Sequence, residues 1–224
     1  MKEGNIRLEN EIKMILEEGN GFYEEKKSRF LACIRPVKTQ EEALAFIEEK
    51  KKQYWDARHN CSAYRIGIEQ PVAHCSDDGE PSGTAGRPML EVLTREGLTN
   101  VVAVVTRYFG GVLLGTGGLV RAYQASLKDA IEHVDVVSRQ AGVIYSIKTD
   151  YNGMGKLQYY FTTEQIPILE TVYEADVTLR IICPLEQCRQ VEKKTEELTN
   201  GKSSAEKLSD TSFCMSGGKV LLLE

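Results

Sequence analysis

The sequence predicts an α+β protein made of two domains, and three observations predict it. The chain of 224 residues has room for one large or two small domains, at roughly 100–200 residues each. Its apolar residues switch repeatedly between a period of two and a period of about 3.6, the strand and helix signatures. Residues 140–224 follow the order β-α-β-β-α-β, a complete small unit in itself. The expected layout is an N-terminal extension over 1–19, a first domain over 20–136 and a second over 140–224.

The first-domain elements follow from local chemistry. Residues 22–37 read as a strand pair, with Phe22, Phe30, Leu31 and Ile34 set among charges. Thr39-Gln40-Glu41-Glu42 is a capping box, in which the threonine and the glutamate three residues on satisfy orphan N–H groups. It opens a helix with Ala43, Leu44, Phe46 and Ile47 on its apolar side and Lys50-Lys51-Lys52 at its end, where cations meet the negative end of the dipole. Ser62–Ile68 and Val72–Ser76 read as strands around a turn at Glu69-Gln70-Pro71. Residues 77–88 form a loop rich in Gly, Pro, Ser and Thr, and Pro88–Arg95 has helical spacing. Asn100–Thr106 is apolar at every second position on both parities, as a strand covered on both faces must be. Residues 116–134 make the strongest helix, with Leu119, Tyr123, Leu127, Ala130, Ile131 and Val134 on one face.

In the second domain Val143–Thr149 alternates as a strand and residues 152–163 suggest a helix with weak N-terminal glycines. Ile166–Val172 and Ala175–Cys183 read as two strands. A helix over Leu185–Leu198 and a final strand over Ala205–Ser216 complete the set. This order is the ferredoxin-like pattern.

Charge narrows the function classes. With 28 Lys+Arg against 33 Asp+Glu, the net charge is −5, which excludes a broadly cationic nucleic-acid binder. Yet the six basic residues between Gln53 and Leu127, namely Arg58, Arg65, Arg87, Arg95, Arg107 and Arg121, are all arginine. Arginine is suited to bidentate contact with phosphate or carboxylate, and bridging to Asp77, Asp78 or Glu80 within the fold explains the count equally well. No signal peptide or membrane span is visible. The six cysteines form no CxxC, so they read as reduced thiols of a cytoplasmic protein.

Ten of the 19 glycines lie between Gly67 and Gly118. They concentrate in Ser76–Pro88 and in Arg107–Gly118, where the second stretch leads from the buried strand into the strong helix. That entrance is either an anion site or a tight turn. G-x-G-x-x-G fails because position 120 is Val, and no G-K-[ST] is present. His59, Cys61, His74 and Cys75 carry zinc-type side chains but lack paired-ligand spacing, so no metal is expected.

Arg107-Tyr108-Phe109-Gly110-Gly111-Val112-Leu113-Leu114-Gly115 resembles the signature of the YigZ/IMPACT family. Asp56 through Arg65 and Ser76 through Pro88 resemble its two other motifs, in the same order. The likeness covers roughly residues 20–130, and the unit that follows resembles the C-terminal domain of bacterial members. Residues 1–19 match no part of the pattern. The resemblance implies a first domain like domain 2 of ribosomal protein S5, with a left-handed βαβ topology. It implies a second like domain V of elongation factor G. RNA or ribosome contact is the expectation that follows. Eukaryotic IMPACT proteins regulate translation by blocking activation of a starvation-responsive initiation-factor kinase. Their additional N-terminal partner-binding domain has no room in this layout, so that partner is not carried over.

Three functions are then in play. The leading one is a non-enzymatic cytoplasmic protein that binds RNA or the ribosome and modulates translation, with no cofactor and no membrane partner. In it Arg58, Arg65, Arg87, Arg107 and Arg121 meet phosphate, and Gly110, Gly111, Gly115, Gly117 and Gly118 let backbone N–H groups approach. Tyr108 and Phe109 either stack on bases or pack in the core. The second is an enzyme acting on a small phosphorylated or carboxylated ligand through His59, Asp77, Asp78, Glu80, Ser82 and Arg107, which requires those side chains to converge in one pocket. The third is a protein–protein module that docks a translation factor on the glycine-rich surface.

Overall fold

The computed structural model describes residues 12–223. It divides into two compact units, one ending at Ser138 and the other beginning at Arg139. Helices and strands are mixed in both, and among the described residues no helix is long and apolar enough to cross a membrane. Of the segment 1–19, residues 1–11 lie outside the described residues. Lys13–Ile15 is strand β1, which pairs with Val136–Ser138.

The first unit holds β2 (Gly19–Glu25), β3 (Ser28–Pro36), α1 (Gln40–Gln53), β4 (His59–Ile66) and β5 (Val72–Ser76). It continues with α2 (Gly86–Arg95), β6 (Val101–Tyr108), α3 (Gly115–Glu132) and β7 (Val136–Ser138). Five strands form one antiparallel sheet in the order β2-β3-β6-β4-β5. β6 lies at its centre and is buried from Val101 to Arg107. Its alternate residues feed two cores. Val101, Ala103 and Val105 join Phe30, Met89, Leu93, Tyr123 and Leu127 under α2 and α3. Val102 and Val104 join Phe46, Ile47 and Tyr64 under α1. A strand apolar on both parities is the sequence form of this double cover.

The capping box forms with one shift. Thr39 Oγ1 accepts the Glu42 N–H at 3.2 Å, but Glu42 Oε2 accepts the N–H of Lys38 at 2.6 Å rather than that of Thr39. Ala43, Phe46 and Ile47 are buried, whereas Leu44 is exposed, because it falls one residue off the stripe. Lys50 is not a solvated end-charge. It is buried, with its Nζ 3.0 Å from Glu18 Oε1.

The second unit runs β8 (Gln140–Thr149), α4 (Tyr151–Thr163), β9 (Ile168–Tyr173) and β10 (Val177–Pro184). After a short 3₁₀ turn come α5 (Cys188–Leu198), β11 (Ala205–Ser216) and β12 (Lys219–Leu223). The sheet is antiparallel in the order β12-β11-β8-β10-β9. Asp150 accepts the Gly153 N–H at 2.7 Å, a cap that offsets the glycines of the first turn. The sequence pattern stopped at Ser216. The chain instead turns at Gly217-Gly218, both at positive φ, and adds β12 as an edge.

Candidate functional site

The end of β6 and the start of β4 lie side by side, with His59 opposite Arg107. They wall a groove of about 600 Å³, lined by Asp56, Ala57, Arg58, His59, Arg107, Tyr108, Phe109 and Leu113. This is where two of the sequence motifs meet.

Arg107 is a wall of the groove rather than a free arm. It is 7% exposed, and its Nη1 donates to Glu80 Oε1 at 2.7 Å. Its guanidinium carbon lies 5.6 Å from the ring centres of both Phe30 and Phe109. Glu80 Oε1 also accepts from Tyr123 Oη at 2.9 Å. Cys61 Sγ donates to Tyr123 Oη at 3.3 Å and contacts Asp77 O at 3.0 Å. Burial pushes the Cys61 thiol and the Tyr123 phenol well above their ordinary pKa values, so both stay protonated. One buried network thereby ties β6, the 77–86 loop, α3 and β4 together.

The acidic loop is occupied internally. Asp77 Oδ1 accepts the N–H groups of Ala85 and Gly86 at 3.0 and 2.9 Å, and Oδ2 accepts that of Gly83 at 2.8 Å. Burial alone would raise its pKa; the backbone donors outweigh burial and hold it below the usual carboxylate range. Asp77 thus caps α2 from nine residues away. Asp78 Oδ2 accepts the Asn60 N–H at 2.7 Å, and its carbonyl meets His59 Nδ1 at 3.0 Å. Ser82 is exposed on the loop. Of the six residues of the enzyme reading, His59 and Arg107 line the groove; Asp77, Asp78, Glu80 and Ser82 do not join them on its lining. His74, from the zinc-type set, is exposed on β5 with its ring 5.5 Å from that of Tyr64.

The five arginines are dispersed. Arg58 is exposed on the groove. Arg65 sits six residues along β4 from His59, roughly 20 Å away, and its Nη1 donates to Leu98 O at 2.9 Å. Arg87 is exposed on α2, 3.6 Å from Glu91, and Arg121 is exposed on α3. The glycines split as well. A Cβ on Gly110 would lie 2.1 Å from the carbonyl carbon of Lys27, so this glycine serves close backbone packing. Gly111 and Gly115 have open space around them, with φ of +88° and +70°. Gly117 and Gly118 lie in the first turn of α3, whose cap residue, Leu114, offers no side-chain acceptor to its N–H groups.

Tyr108 is half-buried, its hydroxyl donating to Asp56 Oδ1 at 2.8 Å and its ring beneath Arg29 at 5.1 Å. Phe109 is 54% exposed. Sequence reasoning missed Trp55 and Leu113, each 82% exposed, and Arg29. The signal for Trp55 was present: the chain's one tryptophan stands after the helix stripe has ended, beside the Asp56–Arg65 motif.

The chain matches the family described as "Impact N-terminal domain" over residues 26–131 and "Domain of unknown function (DUF1949)" over residues 147–202. It is 44% identical over 178 residues to "IMPACT family member YvyE" of Bacillus subtilis, covering 80% of this chain and 82% of that protein. It is 34% identical over 178 residues to "IMPACT family member YigZ" of Escherichia coli, covering 79% and 87%. "Protein IMPACT" of Mus musculus is 38% identical over 97 residues, covering 41% of this chain and 30% of that protein. A solved structure described as "Crystal structure of an hypothetical protein" is 31% identical, with a TM-score of 0.56, and covers 88% of this chain and 97% of that one.

Proposed function

The chain belongs to the IMPACT family, and from that premise we propose that it is a non-enzymatic protein that binds RNA of the translation machinery through the β4–β6 groove. The observation that carries the reading is an exposed aromatic ring, Phe109, lining the groove together with an exposed arginine, Arg58. Phe109 holds the Arg107 guanidinium 5.6 Å from its ring centre, and the exposed Trp55 immediately precedes Asp56 of that lining in the chain. Aromatic faces next to arginine are the sequence-tolerant stacking surface used for unpaired bases. The site is small, which fits a chain of net charge −5.

The fold assignments that go with this reading are a first unit like domain 2 of ribosomal protein S5 and a second that is ferredoxin-like, as in domain V of elongation factor G. The strand order β11-β8-β10-β9, antiparallel throughout, supports the second. A cytoplasmic site of action is supported by six cysteines that are all free thiols. Exposed Val112 and Leu113 favour one competing reading, docking of a translation factor on the same surface. A complex that survives nuclease treatment would favour that reading.

The test is anisotropy with a short fluorescent single-stranded RNA, together with co-sedimentation with ribosomes, over a range of salt. Binding should weaken with salt as counterions are released, and Phe109→Ala should weaken it further. Wild-type protein that engages neither RNA nor ribosomes at low salt would overturn the proposal.

A further inference from the structure

We infer that the β2–β3 turn, Lys26-Lys27, is the phosphate-gripping end of this groove. Its ligand is then a single RNA strand laid across the adjacent ends of β4, β6 and β3. The inference rests on the groove being an RNA site, as proposed above.

The observation is a turn with the wrong residues for its shape. Glu25 pairs with Ser28, which leaves a two-residue loop. Lys26 and Lys27 have φ of 48° and 66°, the two positive values of a type I′ turn. That turn favours Asn-Gly, because an L side chain is crowded at positive φ. Lysine offers no local hydrogen bond to offset the crowding. Both side chains are exposed, and among the described residues neither forms an ion pair. Backbone strain at residues that stabilise nothing nearby points to a use outside the fold.

The turn is also braced against the groove. Gly110 N–H donates to Ser28 Oγ at 3.0 Å. A Gly110 Cβ would meet the Lys27 carbonyl carbon at 2.1 Å and the Ser28 nitrogen at 2.3 Å, so the two backbones are in direct contact next to Phe109. Arg29, the cross-strand partner of Tyr108, lies over that ring at 5.1 Å. Cations therefore flank the aromatics on both sides: Arg58 at β4, then Arg29, Lys27 and Lys26 at the β2–β3 hairpin. Three neighbouring strand ends span roughly 10 Å. Glu24, the cross-strand partner of Arg29, and Glu25, which accepts from Tyr23 Oη at 3.4 Å, border the turn and offset its charge at a distance, so the lysines act on phosphate only in direct contact. A row of cations beside the half-exposed ring of Phe109 fits a polyanion whose bases are unstacked, which is a single strand rather than a duplex.

The decisive variant is Lys26→Asn/Lys27→Gly, which installs the residues that the turn prefers. It should melt at or above the wild-type temperature, yet bind single-stranded RNA more weakly. The slope of log K against log salt should fall in magnitude by about 1.4, or about 0.7 for each lost phosphate contact. Lys26→Arg/Lys27→Arg should keep the wild-type slope. Wild-type binding with an unchanged slope in the Asn-Gly variant would overturn this inference and leave the groove reading intact. Failure of the wild type to bind RNA would overturn both. Equal binding of duplex RNA, or equal competition by polyglutamate, would overturn the single-strand assignment.

Discussion

Replacing Arg107 by methionine should unfold the first unit more easily without acting primarily on ligand binding. Arg107 and Glu80 have side chains 8% and 2% exposed, with nitrogen and oxygen 2.7 Å apart. Two unit charges about 4 Å apart attract by about 4 kcal/mol at an effective dielectric of about 20. The desolvation of both ions offsets much of that gain. Removal of one partner keeps the other's desolvation cost and loses the attraction, so Arg107→Met should cost about 3–5 kcal/mol. Glu80 would then retain Tyr123. The double variant Arg107→Met/Glu80→Gln removes both charges and should recover most of the loss, because a neutral pair needs no counter-charge. Urea unfolding followed by far-UV circular dichroism measures this; the exposed Trp55 makes a poor fluorescence reporter of the core. Arg107→Met costing less than about 1 kcal/mol, or a double variant no more stable than the single, would refute the reasoning. Unchanged stability with lost RNA binding would make Arg107 a ligand residue instead.

Phe109→Ala and Trp55→Ala should each weaken single-stranded RNA binding about five- to 150-fold, at about 1–3 kcal/mol per stacked base. Thermal melts should stay close to wild type, since both rings are exposed. Gly110→Ala should destabilise by about 1–3 kcal/mol, because its new methyl meets only the backbone of the β2–β3 turn; chemical denaturation reads it. Asp77→Ala should cost about 1–2 kcal/mol, as the loss of a helix cap does. The Asp77 pKa is lowered in the folded state, so its contribution is fully present above the ordinary aspartate value of about 3.9. It is lost as pH falls through the folded value. The stability gap between wild type and variant should therefore narrow below about pH 4, as measured by melts across pH.

The elements set by side-chain period were legible in the sequence; the site set by direction was only partly so. β6 and α3 carry unbroken apolar patterns, and each lies within two residues of its expected bounds. β12 was missed because two glycines at positive φ separate it from β11, and a five-residue run after them reads as a tail. The arginine set was read by type, and type does not say where a side chain points. Arg107 is the last buried residue of a strand covered on both faces, and burial there demands a partner such as Glu80. Arg65 lies on the same sheet but at its far end. The role of Asp77 was out of reach, since its three N–H donors lie six to nine residues downstream. Lys26-Lys27 showed only as two charges between strands. Their strained conformation is a fact of the backbone.

The same network that fixes Arg107 in the wall keeps the proposed groove preformed. Cys61, Tyr123, Glu80 and Arg107 join β4, α3, the 77–86 loop and β6 through consecutive buried bonds, so the walls need little ordering when a ligand arrives, and preorganisation lowers the cost of binding. What remains for the ligand is a short row of exposed cations: Arg58, Arg29 over the Tyr108 ring, Lys27 and Lys26. Four phosphate contacts give a salt slope of about −2.8 for a single strand, at about 0.7 each. With a net charge of −5, the far field repels a polyanion, so long-range steering adds little to the association rate. Affinity must then come from stacking and close contact. A measured slope steeper than about −5 would demand more phosphate contacts than this groove offers and would refute the groove as the proposed binding surface.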